Sequence, residues 1–205
     1  MDIKNIINEI TTKTFEVLKN VYANQKEGHE FTQGDNGSRL IFPHYSTVYR
    51  DGETRISEQE LRFVFIEQFN AYCAENNLKL FYSVETPTEY KYTFTDKNNP
   101  HKDDDGQSAM FDLCIHNENL ERIALVEFKA LNPDEFCYNK DFCKLDAEKE
   151  CKPELETFFI MMVKKTNTGT YGHIRKKIEN KGENTVFRCY DLEAGEDITS
   201  KIEES

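Results

Sequence analysis

Two acids and a lysine stand where a strand-like part of the chain should carry only core residues. Asp112 interrupts the run Met110-Phe111-Asp112-Leu113, and fifteen residues further on the run Ile123-Ala124-Leu125-Val126 ends in Glu127-Phe128-Lys129. Carboxylates and an ammonium are costly on a half-buried sheet unless they hold an ion or pair with one another. Two hard oxygen ligands beside an ammonium suit metal-assisted hydrolysis of a phosphodiester. The Glu-x-Lys triplet alone carries little weight, because it begins at four positions, 89, 127, 150 and 179. Only the copy at 127 closes a β-branched and apolar run, with an Asp-bearing run just upstream.

The stretch Asn117, Glu118, Asn119 and Leu120 between the two runs predicts a hairpin. A turn centred on Glu118 and Asn119 sets Asp112 opposite Leu125. Strand parity then puts Leu125, Glu127 and Lys129 on the Asp112 face, with Glu127 a diagonal neighbour at roughly 7–8 Å. His116 falls on that face as well. The other face collects Phe111, Leu113, Ile115, Ala124, Val126 and Phe128, all apolar. A competing reading makes Glu127 and Lys129 members of surface ion pairs, each worth about 0–1 kcal/mol.

Such a hairpin needs a frame. Residues 2–25 space Ile3, Ile6, Ile7, Ile10, Val17, Leu18 and Val21 as an amphipathic helix that packs on the domain or on a partner. Residues 27–38 read as a loop and 39–42 as a short strand. Ser57-Glu58-Gln59-Glu60 is a capping box opening a helix with Leu61, Val64, Phe65, Phe69 and Tyr72 inward. A strand over 79–84 is expected to break at Glu85-Thr86-Pro87-Thr88. Residues 95–107 read as a polar loop, whose Asp103-Asp104-Asp105-Gly106 lacks the ligand spacing of an EF-hand. Beyond the hairpin the pattern predicts a helix over 141–149, a strand over 158–163, a helix over 171–179, a closing strand over 186–190 and a frayed acidic end. Helix, strand, hairpin, helix, strand is an α/β order.

That order, with Glu60 on the first helix, Asp112 in one strand and Glu127-Phe128-Lys129 in the next, resembles the PD-(D/E)xK nuclease superfamily over residues 57–165, and within it small bacterial members. The resemblance implies an α/β restriction-endonuclease-like core, a mixed central sheet flanked by helices, with an N-terminal helical extension. The chain then divides into an amphipathic helix at 1–27, a connecting region at 28–56, a nuclease-like domain at 57–195 and an acidic tail at 196–205. Asp112 matches the first acidic position of the family, Glu127 the second and Lys129 the lysine. No Pro precedes Asp112; Phe111 stands there instead. Glu60 resembles the glutamate that many members carry on the first core helix, although it is also the capping-box acid. Lys144, in Asp141-Phe142-Cys143-Lys144-Leu145, matches the auxiliary polar residue of the following helix. Oxygen ligands from Asp112, Glu127, Glu60 and the Phe128 carbonyl suit Mg²⁺ or Mn²⁺, with Lys129 orienting water or stabilising charge on the transferred phosphate. The expected activity is divalent-metal-dependent hydrolysis of nucleic acid, DNA above all, in restriction, repair or defence. The alternative is a non-catalytic nuclease-fold module that binds protein.

Composition bounds these readings. With 205 residues the chain builds one domain, and 15 Phe and 10 Tyr supply an aromatic core despite 38% hydrophobic residues. A formal charge of −12 repels polyanions. Phosphate contact would fall to local strips, Lys164-Lys165 and Arg175-Lys176-Lys177, or targeting to a protein partner or homodimer docked through the N-terminal helix. The six cysteines form no C-x-x-C pair and no apolar signal segment opens the chain, which fits reduced thiols in a cytoplasmic protein. No apolar stretch approaches the roughly 20 residues that span a bilayer, so no membrane partner is expected.

Overall fold

Asp2 accepts the Asn5 N–H at 3.1 Å and so caps the long first helix, α1 (Ile3–Glu27). The computed structural model describes residues 2–27, 37–45, 53–94, 100–179 and 181–204. Most of the loop expected over 27–38 and part of the polar segment at 95–107 therefore lie outside the described residues. The apolar stripe of α1 is spent on the chain's own core: Ile7, Ile10, Leu18 and Val21 are wholly buried. Thr11 and Thr14 share that buried face and return their hydroxyls to the carbonyls of Ile7 and Ile10, at 2.7 and 2.8 Å. The second helix, α2 (Glu58–Glu75), buries Leu61, Val64, Phe65 and Phe69 and packs against α1.

Among the described residues seven strands form one mixed sheet: β1 (Phe81–Thr93), β2 (His101–Lys102), β3 (Gln107–His116), β4 (Arg122–Ala130), β5 (Glu156–Val163), β6 (Thr185–Asp191) and β7 (Glu196–Asp197), in the order β2-β1-β3-β4-β5-β6-β7. β1, β3 and β4 run antiparallel. Helix α3 (Glu135–Cys151) then crosses to β5, parallel to β4, and α4 (Thr168–Ile178) crosses to β6, parallel to β5. The chain closes with α5 (Thr199–Glu203). The α/β class and the mixed sheet flanked by helices are as expected.

Two cores lie on the two faces. Leu113, Ile115, Ala124, Val126, Phe128, Phe158, Ile160 and Met162 meet α1 and α2, whereas Cys114, Leu125, Phe159, Met161 and Cys189 meet α3, α4 and α5. This is the period-two alternation of strands. From Thr157 to Val163 β5 is buried throughout, as a strand covered on both sides should be. Phe111 departs from the expected face. The β3–β4 ladder ends at Leu113↔Val126, and beyond it Phe111 joins the α3-side core.

Several boundaries differ from the pattern. β1 does not stop at Glu85 but absorbs the turn-like residues as an irregularity, with Glu85 at φ +46° and a register shift between Pro87 and Lys91. Proline is tolerated there because β2 pairs only with Tyr92 and Thr93 of β1. No strand forms over 39–42; His44 and Thr54 make an isolated bridge. α3 starts earlier than residue 141, and a short helix over Thr199–Glu203, with Ile198 and Ile202 buried, leads into the acidic end, of which Ser205 lies outside the described residues.

The β3–β4 hairpin decides the geometry of the acids. Asn117 accepts from the N–H groups of Asn119 and Glu121 at 2.9 and 3.0 Å, Leu120 takes the left-handed region at φ +63°, and the turn grows to five residues, Asn117 through Glu121. A further irregularity separates His116↔Arg122 from Ile115↔Ala124. Together they move the register by two residues from that of a tight turn, so that extending Leu113↔Val126 by one step sets Asp112 against Glu127 rather than Leu125. A slip of two keeps every side chain on its face; a slip of one would have reversed them all. Leu120 is exposed and strained, and asparagine tolerates its backbone conformation. Leu120→Asn is therefore expected to raise stability by about 0.5–1 kcal/mol in urea unfolding, and a loss of stability would contradict this account of the turn.

Candidate functional site

The residues that meet at the C-terminal end of β4 come from four elements. β4 is apolar apart from Arg122, Glu127 and Lys129, and parity turns Glu127 and Lys129 toward α3. α3 is fastened by Tyr138, Phe142 and Leu145, all buried, with the Tyr138 and Phe142 rings 5.3 and 4.7 Å from that of Phe159. Helical spacing then lowers Asp141 and Lys144 onto the same surface. The result is a continuous chain of charges. Lys129 Nζ lies 2.6 Å from Asp141 Oδ2, Asp141 Oδ1 lies 2.9 Å from Lys144 Nζ, and Lys144 Nζ lies 2.5 Å from Glu127 Oε1. Each of the four is at most 9% exposed. Lys144 also donates to the Met110 carbonyl at 2.9 Å, and Lys129 to the Phe128 carbonyl at 3.2 Å.

Asp112 completes the group from β3. Its Oδ2 accepts the Phe128 N–H at 2.8 Å, where the ladder between the strands has ended. Asp112, Glu127, Lys129 and Lys144, all picked out in the sequence, are thus brought together. Glu60 is not. Its carboxylate accepts the Ser57 N–H at 2.6 Å and the Ser57 hydroxyl, completing the capping box, and its nearest cation is Arg55 at 3.9 Å. No hydrogen bond or ion pair joins it to Asp112, Glu127 or Lys129 among the described residues. The reason is local: an acid at the third helical position folds back on the cap. The acid that α2 does turn toward the site is Glu58, 3.6 Å from Lys129 Nζ. His116 bonds Ser83 at 2.8 Å, so its ring braces the hairpin.

Glu58 and Asp141 are the members that sequence reasoning missed. Glu58 was visible only as a first-turn acid. Asp141 and Lys144 stand three apart in a helix, a pairing that surface helices show everywhere.

Burial pushes the Glu127 carboxyl well above the usual carboxylate range; Asp141 adds to this and Lys144 opposes it. Burial works against ionisation of Asp141 too, but Lys129 and Lys144 outweigh it and hold that carboxyl below its ordinary value. Burial likewise opposes charge on both lysines, and the acids around them more than compensate. Glu58 is raised by burial, against the pull of Lys129. Glu58, Asp112, Glu127 and Asp141 face two ammoniums, so a formal surplus of two negative charges remains.

A divalent ion fits that surplus. Asp112 Oδ1 and Glu127 Oε2 make no hydrogen bond among the described residues. There is no cluster of three or more His, Cys, Asp or Glu side chains suited to a metal ion among those residues. Magnesium does not require one, because it commonly takes one or two carboxylates and keeps several waters. The Phe128 carbonyl, also expected as a ligand, is here an acceptor for Lys129.

Comparison with protein-family models, with curated proteins and with solved structures finds no match to this chain. Among the described residues no helix is long and apolar enough to cross a membrane.

Removing one partner of a buried ion network leaves uncompensated charge. Lys144→Met is expected to lose about 3–5 kcal/mol in urea unfolding, whereas Glu60→Ala should lose about 1 kcal/mol and Glu60→Gln almost nothing, since glutamine keeps the cap. Equal losses for Lys144→Met and Glu60→Ala would contradict this division.

Proposed function

We propose that the chain is a divalent-metal-dependent nuclease of the PD-(D/E)xK kind, acting on DNA. The observation that carries the reading is the meeting of Asp112, Glu127 and Lys129 at the end of one hairpin, with α3 delivering Lys144 to Glu127. The element order supports it: α2, β1, the β3–β4 hairpin, α3 and β5 follow the helix, strand, hairpin, helix, strand order on which the resemblance rests.

Asp112 and Glu127 would hold Mg²⁺ or Mn²⁺ through the two oxygens left without hydrogen bonds. The bound ion would polarise the scissile phosphate and acidify a water. Lys144 keeps Glu127 Oε1 engaged and so leaves the other oxygen for a cation, the service that outer groups perform for ligating carboxylates. Lys129, held charged between acids, supplies a fixed positive charge where negative charge develops on phosphate.

The rim also suits a phosphate backbone. Arg55, Glu58, Gln59, Ala130 and Leu131 line an open groove beside Lys129. Lys164 reaches the Thr54 carbonyl at 3.1 Å and Lys177 reaches Asn132 at 2.8 Å, so both basic strips of the sequence have a member beside segments that flank the groove. Local cations around an acidic, metal-loaded centre reconcile phosphate binding with a chain of net charge −12. One observation favours a non-catalytic protein-binding module instead: Glu127 and Lys129 are already satisfied by Lys144 and Asp141, an arrangement complete without an ion.

Cleavage of plasmid, linear, single-stranded and branched DNA, and of RNA, in Mg²⁺ or Mn²⁺ separates the two. The nuclease cuts in a metal-dependent way, and Lys129→Ala lowers turnover about 10²-fold or more while metal affinity changes little; no cutting of any substrate, or equal cutting by the variant, overturns it. A proton on Glu127 excludes a cation, and burial raises that carboxyl. Mn²⁺ affinity should therefore strengthen as pH rises, with release of protons seen by calorimetry in buffers of different ionisation enthalpy. Affinity independent of pH would remove Glu127 from the ligand set.

A further inference from the structure

We propose that Asp141 is the positioning residue of this centre: it holds Lys129 off Glu127 and so keeps that carboxylate open to a divalent cation. The inference rests on the metal-dependent reading of the site and adds a residue that reading does not require.

Lys129 and Glu127 are two apart on β4 and share a face, which separates them by roughly 6–7 Å along the strand. A lysine side chain spans that distance. Lys129 also lies in a nearly dry setting in which its ammonium must find an acid. Three are at hand. Glu58 stands 3.6 Å away on a side chain 44% exposed, a weak competitor. Asp141 takes the ammonium at 2.6 Å. Glu127 is the third, and its Oε1 already belongs to Lys144, so Lys129 arriving there would occupy Oε2, the oxygen otherwise left for a cation.

Asp141 prevents this with one carboxylate. Oδ2 clamps Lys129, while Oδ1 steadies Lys144, which in turn fixes Glu127 and the Met110 carbonyl. The clamp is rigid because its own helix is anchored by buried Tyr138, Phe142 and Leu145. Asp141 makes no hydrogen bond or ion pair with either proposed ligand, Asp112 or Glu127; its contacts are with the two lysines, and beyond them only its charge reaches Glu127.

Mn²⁺ affinity of the full chain, by calorimetry and by the electron paramagnetic resonance of the free ion, tests this in the wild type, Asp141→Asn, Lys129→Met and the double variant. Asp141→Asn should weaken Mn²⁺ about 10–100-fold, and adding Lys129→Met should restore affinity to that of Lys129→Met alone. Unchanged affinity in Asp141→Asn overturns the proposal, as does a double variant that stays as weak as Asp141→Asn. Should Asp141→Asn not fold, Lys129→Met against the double variant, which loses both ends of the ion pair, still decides: equal affinities support a role exerted through Lys129, and a weaker double variant refutes it. A wild type that binds no Mn²⁺ overturns the metal-dependent reading together with this one. The expected pattern of affinities without any DNA cleavage leaves Asp141 its role and removes the nuclease.

Discussion

The structure depends on a line of four buried charges, Lys129, Asp141, Lys144 and Glu127, alternating in sign between β4 and α3. Buried ion pairs seldom add net stability over well-packed apolar side chains, because desolvation offsets their attraction. Their consequence is specificity. With two ammoniums and two carboxylates interleaved, α3 has one rotation and one height on the sheet at which every charge is met. Tyr138, Phe142 and Leu145 supply the apolar grip, and the charges select its register.

The same line sets the electrostatics of the candidate centre. Asp141 is stabilised as an anion by two lysines, while Glu127, more deeply desolvated, is driven toward its neutral form. Two carboxylates a few residues apart in space are thereby pushed in opposite directions, an asymmetry typical of sites that handle protons and cations. Beside this centre Arg55 lines the open groove, and Lys164 and Lys177 bond Thr54 and Asn132 next to its lining.

Around this centre the architecture is conventional in its physics. Antiparallel strands on one side of the sheet deliver Asp112 and Glu127 together by a hairpin, and parallel strands on the other demand the crossover helix that brings Asp141 and Lys144. The long first helix is part of the same core as α2, with Ile7, Ile10, Val17 and Val21 buried and Ile3 and Ile6 partly so.

The chain's own pattern determined which face of the hairpin each residue takes where the strands are paired, because period two is a property of the strand and survives an even slip of register; Phe111, beyond the paired ladder, is the exception. It also determined that α2 begins at Ser57, since a capping box is complete within four residues. Tertiary structure decided the remainder. Whether Asp112 opposes Leu125 or Glu127 hung on a five-residue turn with Leu120 in the left-handed region, and β1 ran through Pro87 because its outer neighbour is short. Glu60 takes the cap for a local reason, whereas only the direction in which α2 approaches the sheet brings Glu58, two positions earlier, to Lys129. Asp141 was indistinguishable in sequence from any surface acid. Its meaning arises from burial between two lysines distant along the chain, and no local pattern records contacts that packing alone creates.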